Sequence, residues 1–240
     1  MLTIRADVVG SLLRPPELLE AQRQLSAGAI TPGEFKALED RAVDTAIALQ
    51  ESVGLEVVTD GEMRRRSFQS QMTAAVSGFG EHDLNAFLWG EWRDEEGVQK
   101  KRRPRRLGAV AKLKRHRHLS ADEFSYLKRK TNRIPKVTLP SPGLWANFWS
   151  PKYSREAYPT LDSFLSDIVE ILREEVAELS RLGAGYIQID APQYGLLLDP
   201  ATRGFYEGLG WNLDRWLSLG VELDNAVMNG FSDVTFGFHV

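Results

Sequence analysis

Thr160-Leu-Asp-Ser-Phe-Leu-Ser-Asp-Ile-Val-Glu170-Ile-Leu-Arg-Glu-Glu-Val-Ala-Glu-Leu-Ser180-Arg-Leu-Gly-Ala-Gly-Tyr186-Ile-Gln-Ile-Asp190 decides the fold class. Leu161, Phe164, Leu165, Ile168, Ile171, Leu172, Val176 and Leu179 recur at helical spacing, with acids early in the run and Gly183 where a helix would end. Tyr186 to Asp190 follows as a short apolar run that reads as a strand. The same order recurs upstream. Ile4 to Val9 reads as a strand ending at Gly10-Ser11. Thr31-Pro-Gly-Glu34 has the N-cap, first-turn proline and capping-box glutamate of a helix start, and Gly54 closes that helix. Leu55 to Thr59 is the next strand, stopped by Asp60-Gly61. Downstream, Trp211 to Met228 is a weaker helical pattern interrupted by Gly220, and Val234 to His239 is a last strand. Helices alternating with apolar strands imply α/β architecture with a parallel sheet.

Between these units lies an irregular middle, Phe79 to Ser150. It holds two expected strands, Val110 to Leu119 and Ile134 to Leu139, and a short helix opened by the capping box Ser120-Ala-Asp-Glu123. Six strands are expected in all. Four strand ends carry small or polar residues, at Gly10-Ser11, Asp60-Gly61-Glu62, Asp190 and His239. In barrels and open α/β sheets alike, the chemistry sits at this end of the strands.

The 240 residues, 42% hydrophobic and 26% charged with no cysteine, exclude a disordered, collagen-like or disulfide-built chain. No apolar run approaches the ~18 residues of a membrane span, and the N-terminus lacks signal-peptide features, so the reading is cytoplasmic with no membrane partner. A net charge of −3 gives no overall sign of a nucleic-acid binder. The charge is unevenly placed: Arg93 to Arg133 carries 15 of the 30 basic residues and five acids. That stretch reads as a solvated insertion, with nucleic-acid binding the weaker alternative because no aromatics interleave its densest part.

Several residues can carry chemistry. Asp60 and Glu62, followed by Arg64, Arg65 and Arg66, can grip a zwitterion, or can form the ordinary ion pairs of a polar loop. Asp190 in Asp-Ala-Pro can serve a site or cap a loop. His239 is a lone imidazole that more often packs than binds metal, and His82, His116 and His118 add no metal-ligand pattern. Trp145 and Trp149, in a loop rich in Pro and Gly, can stack on a flat ring or pack onto the core.

Taken in order, Val8-Val-Gly-Ser11-Leu-Leu-Arg-Pro15, Val57-Val-Thr-Asp-Gly-Glu62-Met-Arg-Arg65, Leu139-Pro-Ser-Pro142, Tyr186-Ile-Gln-Ile-Asp190-Ala-Pro192 and Phe238-His239 resemble the cobalamin-independent methionine synthase family, over nearly the whole chain. The resemblance implies a (β/α)8 TIM barrel, here truncated after its sixth strand. Residues 1–240 would form a single incomplete barrel domain, with 79–133 a basic insertion after strand two that contains strand three. It implies a methyltransferase that moves a methyl group, from 5-methyltetrahydrofolate in the family, to a zinc-bound thiol such as homocysteine. Metal binding would favour the thiolate, which is the nucleophile.

Carried over by motif, Asp190 and Glu62 are the expected catalytic pair. Ser11, Glu62, Asp190, Arg14 and Trp149 are expected on the substrate, and His239 on the zinc. Two departures stand out. The family's next zinc ligand is a Cys just beyond the position where this chain stops, at Val240, and Asp-Ala-Pro replaces the Asp-Glu-Pro of the classical synthases. The alternatives are a related thiol alkyltransferase of the epoxyalkane:coenzyme M type, or a non-catalytic fragment whose basic insertion binds nucleic acid. An open barrel also exposes sheet edges, which makes a homo-oligomer one expected outcome.

Overall fold

The computed structural model describes residues 6–67, 70–81, 92–93, 99–100, 107–208 and 210–240. The helices α1 (Pro16–Ser26) and α2 (Pro32–Ser52) precede β1 (Val57–Val58). Next come α3 (Ser70–Ala75), β2 (Val76–Glu81), β3 (Trp92–Arg93), β4 (Gln99–Lys100) and β5 (Leu107–Arg115). The chain continues through α4 (Ala121–Lys130), β6 (Ile134–Pro140), a 3-10 helix (Pro142–Phe148) and α5 (Leu161–Arg181). Then β7 (Tyr186–Asp190) leads to α6 (Gln193–Leu196), α7 (Pro200–Gly208), α8 (Leu213–Arg215), a π turn (Trp216–Gly220), α9 (Val221–Met228) and β8 (Thr235–His239). No helix among the described residues is long and apolar enough to cross a membrane.

The strands β1, β6, β7 and β8 form one parallel sheet in that order. Its register lines up Pro140, Asp190 and His239 at the C-terminal ends of three adjacent strands. Because side chains alternate between the two faces, the sheet divides sharply. Val137, Leu139, Ile187 and Ile189 face the main core with Phe164, Leu165, Ile168 and Leu172 of α5. Lys136, Thr138, Gln188 and Asp190 occupy the other face and are also buried. A smaller core joins Leu18 of α1, Val43 and Ile47 of α2, and Val58.

This is the α/β architecture read from the sequence and part of a barrel wall, though barrel closure is not detected among the described residues. Two expected strands are corrected. Ala6 to Val9 form no strand, and residues 1–5 lie outside the described ones. Backbone carbonyls of this segment bond to side chains rather than to a ladder. Val8 O accepts from Lys136, Val9 O from Gln188 at 2.6 Å, and Gly10 O from the Thr59 hydroxyl at 2.7 Å.

The strand expected at Val110 to Leu119 runs instead from Leu107 to Arg115 and pairs antiparallel with β2 in a separate sheet. It is not a third barrel strand, since β1 pairs directly with β6. A bulge between Ser77 and Phe79 bends this ribbon. Gly78 takes φ +108° there, and a Cβ would lie 2.8 Å from the Lys112 carbonyl. Of the basic insertion expected at 79–133, residues 82–91, 94–98 and 101–106 lie outside the described ones.

Capping follows the sequence in one helix and departs from it in another. Thr31 and Glu34 close the capping box of α2, as expected. In α4, Ser120 makes no cap and Glu123 turns away to Arg65. The helix start is served by Glu175 of α5, which is fully buried and accepts the backbone N–H of Leu119 and of Ser120, both at 2.7 Å. A buried acid receiving two amides at a helix N-terminus suits the local dipole. We expect Glu175→Gln to lower unfolding free energy by about 1–3 kcal/mol, measured by urea denaturation, because an amide in its place leaves a backbone donor without a charged acceptor.

Candidate functional site at the strand ends

The turn after β1 is built around one strained residue. Gly61 has φ +67° and Glu62 φ +54°, and Glu62 is the one non-glycine residue in the left-handed region among those described. Three contacts hold it there. The Asp60 carboxylate accepts its N–H at 2.8 Å, Arg14 donates to its carbonyl at 3.1 Å, and Leu12 N–H bonds the Gly61 carbonyl at 3.0 Å. Backbone strain held by surrounding contacts is frequent at functional sites.

Glu62 is buried, and one of its oxygens is saturated. Oε1 accepts from the Thr138 hydroxyl at 2.6 Å and from Arg65 Nη1 at 3.2 Å. Oε2 is buried without a donor among the described residues. Arg65 is itself 2% exposed and also donates to Glu123 at 3.0 Å, to the Thr138 carbonyl at 3.1 Å and to the Ser120 hydroxyl at 3.3 Å. Burial pulls its guanidinium pKa down, but Glu123, Glu62 and Asp60 outweigh that and hold it above the ordinary value. Burial pushes Glu123 up to about 7 against the pull of Arg65. Gln71 completes this knot by donating to Glu123.

Asp190 ends β7 with Oδ1 accepting from Gln188 Nε2 at 2.7 Å and lying 3.3 Å from His239 Nδ1. Burial raises its pKa, with Glu62 adding repulsion, while Gln188 and His239 pull the other way. Gln188 extends the chain of contacts, since its Oε1 accepts from Lys136 at 2.8 Å. Lys136 is fully buried and also reaches Asp7 at 2.9 Å.

A cavity of about 280 Å³ opens between these groups, lined by Val9, Gly10, Ser11, Glu62, Asp190, Pro192 and His239. Ser11, Glu62, Asp190 and His239, four separate strand ends in the sequence, thus meet at one place. Arg14 braces the backbone of Glu62 and is not among the lining residues. Trp149 is corrected. It is 5% exposed in the main core, its indole N–H donates to the Tyr158 carbonyl at 3.0 Å, and it is not among the residues lining the cavity.

The three arginines also separate: Arg64 pairs with Asp40 and Glu39 on α2, and Arg65 is buried behind Glu62. The sequence reading missed Thr138, Gln188 and Lys136. Their signal was polar residues at alternate positions of strands otherwise read as apolar.

Zinc, expected from the resemblance, does not fit this donor set. The chain has no cysteine, and no three His, Cys, Asp or Glu among the described residues are grouped to hold a metal. His239 is the one imidazole on the cavity, and its Nδ1 faces Asp190.

No protein-family model matches the chain. It is similar to the uncharacterized protein YxjH of Bacillus subtilis, 25% identical over 98% of this chain and 61% of that protein. A Pyrococcus horikoshii methionine synthase is 31% identical over 78% of this chain and 51% of its own length. A 5-methyltetrahydropteroyltriglutamate–homocysteine methyltransferase of Thermosynechococcus vestitus is 30% identical over 89% of this chain and 26% of its own length. The chain therefore spans between about a quarter and three fifths of these relatives.

Among solved structures, the Listeria monocytogenes protein assigned as a vitamin-B12-independent methionine synthase superposes with a TM-score of 0.73 at 20% identity, over 99% of this chain and 65% of that one. A B12-independent methionine synthase from Shewanella, solved with selenomethionine, gives 0.64 at 17% identity, over 88% of this chain and 53% of its own. These structures share the fold.

Gly10 sits where the first segment crosses Glu62. A Cβ there would lie 2.8 Å from Glu62 Oε1 and 3.0 Å from the Thr138 methyl. We expect Gly10→Ala to displace the Glu62 carboxylate and lower stability by about 1–3 kcal/mol, read as a fall in thermal midpoint. Gly33→Ala, whose Cβ would meet nothing closer than 4.0 Å, serves as the control.

Proposed function

The chain belongs to the cobalamin-independent methionine synthase family, and on that footing we propose that it is a methyltransferase whose strand-end cavity holds the amino-acid part of a thiol acceptor such as homocysteine. The observation that carries this reading is the buried Oε2 of Glu62, which has no donor among the described residues and belongs to a residue lining the same cavity as Asp190. A buried carboxylate oxygen without a partner is costly. An ammonium group offers three donors and a positive charge, and so satisfies it. Two carboxylates line the cavity, and the guanidinium paired with Glu62, that of Arg65, is shared with Glu123.

Size supports the same class of ligand. About 280 Å³ is at the small end of ligand pockets and suits a single amino acid. A methyl donor as large as a methylated folate would then lie outside this cavity, over its mouth. Within the cavity Ser11 stands at the exposed rim and Arg14 keeps the Glu62 backbone in place. The carboxylates disfavour a thiol whose only charged group is a sulfonate, which weighs against the coenzyme M alternative. The Shewanella relative's complex with selenomethionine, an amino acid of the product type, is in keeping with this assignment.

Calorimetric titration with L-homocysteine and with L-methionine tests the reading. Both are expected to bind the unmodified chain, and Glu62→Gln is expected to weaken each at least about tenfold, the equivalent of roughly 1.4 kcal/mol. Absence of binding for both amino acids would overturn it, as would equal affinity in Glu62→Gln.

A further inference from the structure

We propose that Thr138, with Arg65 behind it, is a positioning residue that makes the cavity select an ammonium-bearing ligand by fixing which oxygen of Glu62 stays bare. The proposal deepens the ammonium reading given above and rests on it.

A carboxylate free to rotate presents either oxygen, and two oxygens together match a forked guanidinium as well as an ammonium. Here the choice is removed. The Thr138 hydroxyl oxygen accepts from Arg65 Nη1 at 2.9 Å, and its one proton goes to Glu62 Oε1 at 2.6 Å. Arg65 cannot swing to the other oxygen of Glu62. It is 2% exposed, and its other nitrogens, Nε and Nη2, are held by Glu123 and Ser120.

The other end of the side chain is held too. Glu62 is pinned at φ +54° by Asp60 and by Arg14. Of the four acceptor sites of a carboxylate, the pair on Oε2 is left. That is a single point of attachment, matched by a compact ammonium and poorly matched by a planar fork. Thr138 lies on the polar face of β6, with Gln188 opposite it on β7, so the strand register sets its height beside the cavity.

The test compares two thiols, homocysteine and 4-mercaptobutanoate, which keeps the thiol and carboxylate and lacks the amine. Their affinities are measured by calorimetry for the unmodified chain, Thr138→Val and Thr138→Ser, with thermal midpoints confirming that each variant is folded. Loss of a hydrogen bond to a charged group predicts that Thr138→Val weakens homocysteine about tenfold and leaves 4-mercaptobutanoate unchanged. Thr138→Ser, which restores the hydroxyl, is expected within about twofold of the original by the same reasoning.

If Thr138→Val still prefers homocysteine as strongly as the unmodified chain, the positioning role is wrong while the ammonium site stands. If Thr138→Val weakens both ligands alike, the residue is structural and the proposal is again overturned. If the unmodified chain does not distinguish the two thiols, the ammonium reading falls, and this inference with it.

Discussion

The parallel sheet carries charge on a face that water does not reach, and most of the structure answers to that constraint. One side of β6 and β7 is ordinary core, packed by α5. The other side carries Lys136, Thr138, Gln188 and Asp190, all buried. Each would cost several kcal/mol if left without a partner. The first segment of the chain supplies part of the answer. It lies across this face with its carbonyls on Lys136, Gln188 and Thr59, and gives up the ladder that would have made it a strand. The same bonds bring Gly10 and Ser11 to the strand ends.

Arg65 does the corresponding work beneath the site. A single guanidinium binds Glu62, Glu123, Ser120 and Thr138, and so ties the turn after β1 to α4 and β6. Buried ion pairs contribute little net stability unless their geometry and remaining hydrogen bonds are complete. Here completeness stops short at Oε2 of Glu62, as it does at Oδ2 of the adjacent Asp60. The shortfall coincides with a cavity, a strained backbone and a second carboxylate, which is why it is read as the place of a ligand.

The departures of the fold from the sequence pattern share one cause. Periodicity reports which residues prefer burial, and it found α5, β7, β8 and the capping box of α2 without help. It cannot report what a buried polar group bonds to. Glu123 had the spacing of a capping-box residue and was drawn off by Arg65, while Glu175, from a helix 40 residues further on, took the helix start. Trp149 had the neighbours of a stacking loop and went to the core. Leu107 to Arg115 has the composition of a strand, yet composition says nothing of its partner, and it paired antiparallel with β2.

The sequence by itself determined the alternation of helix and strand, the polar residues at the strand ends and, through five ordered motifs, the family. Tertiary structure alone decided that Ser11, Glu62, Asp190 and His239 share one cavity, and that Thr138 and Arg65 leave a single oxygen of Glu62 bare. The physical reason is that local pattern encodes burial and backbone preference, which are properties of a segment. Hydrogen-bond saturation depends on which donor arrives from elsewhere in the chain. For Glu62 the donors come from Arg65, three residues away, and from Thr138, 76 residues away.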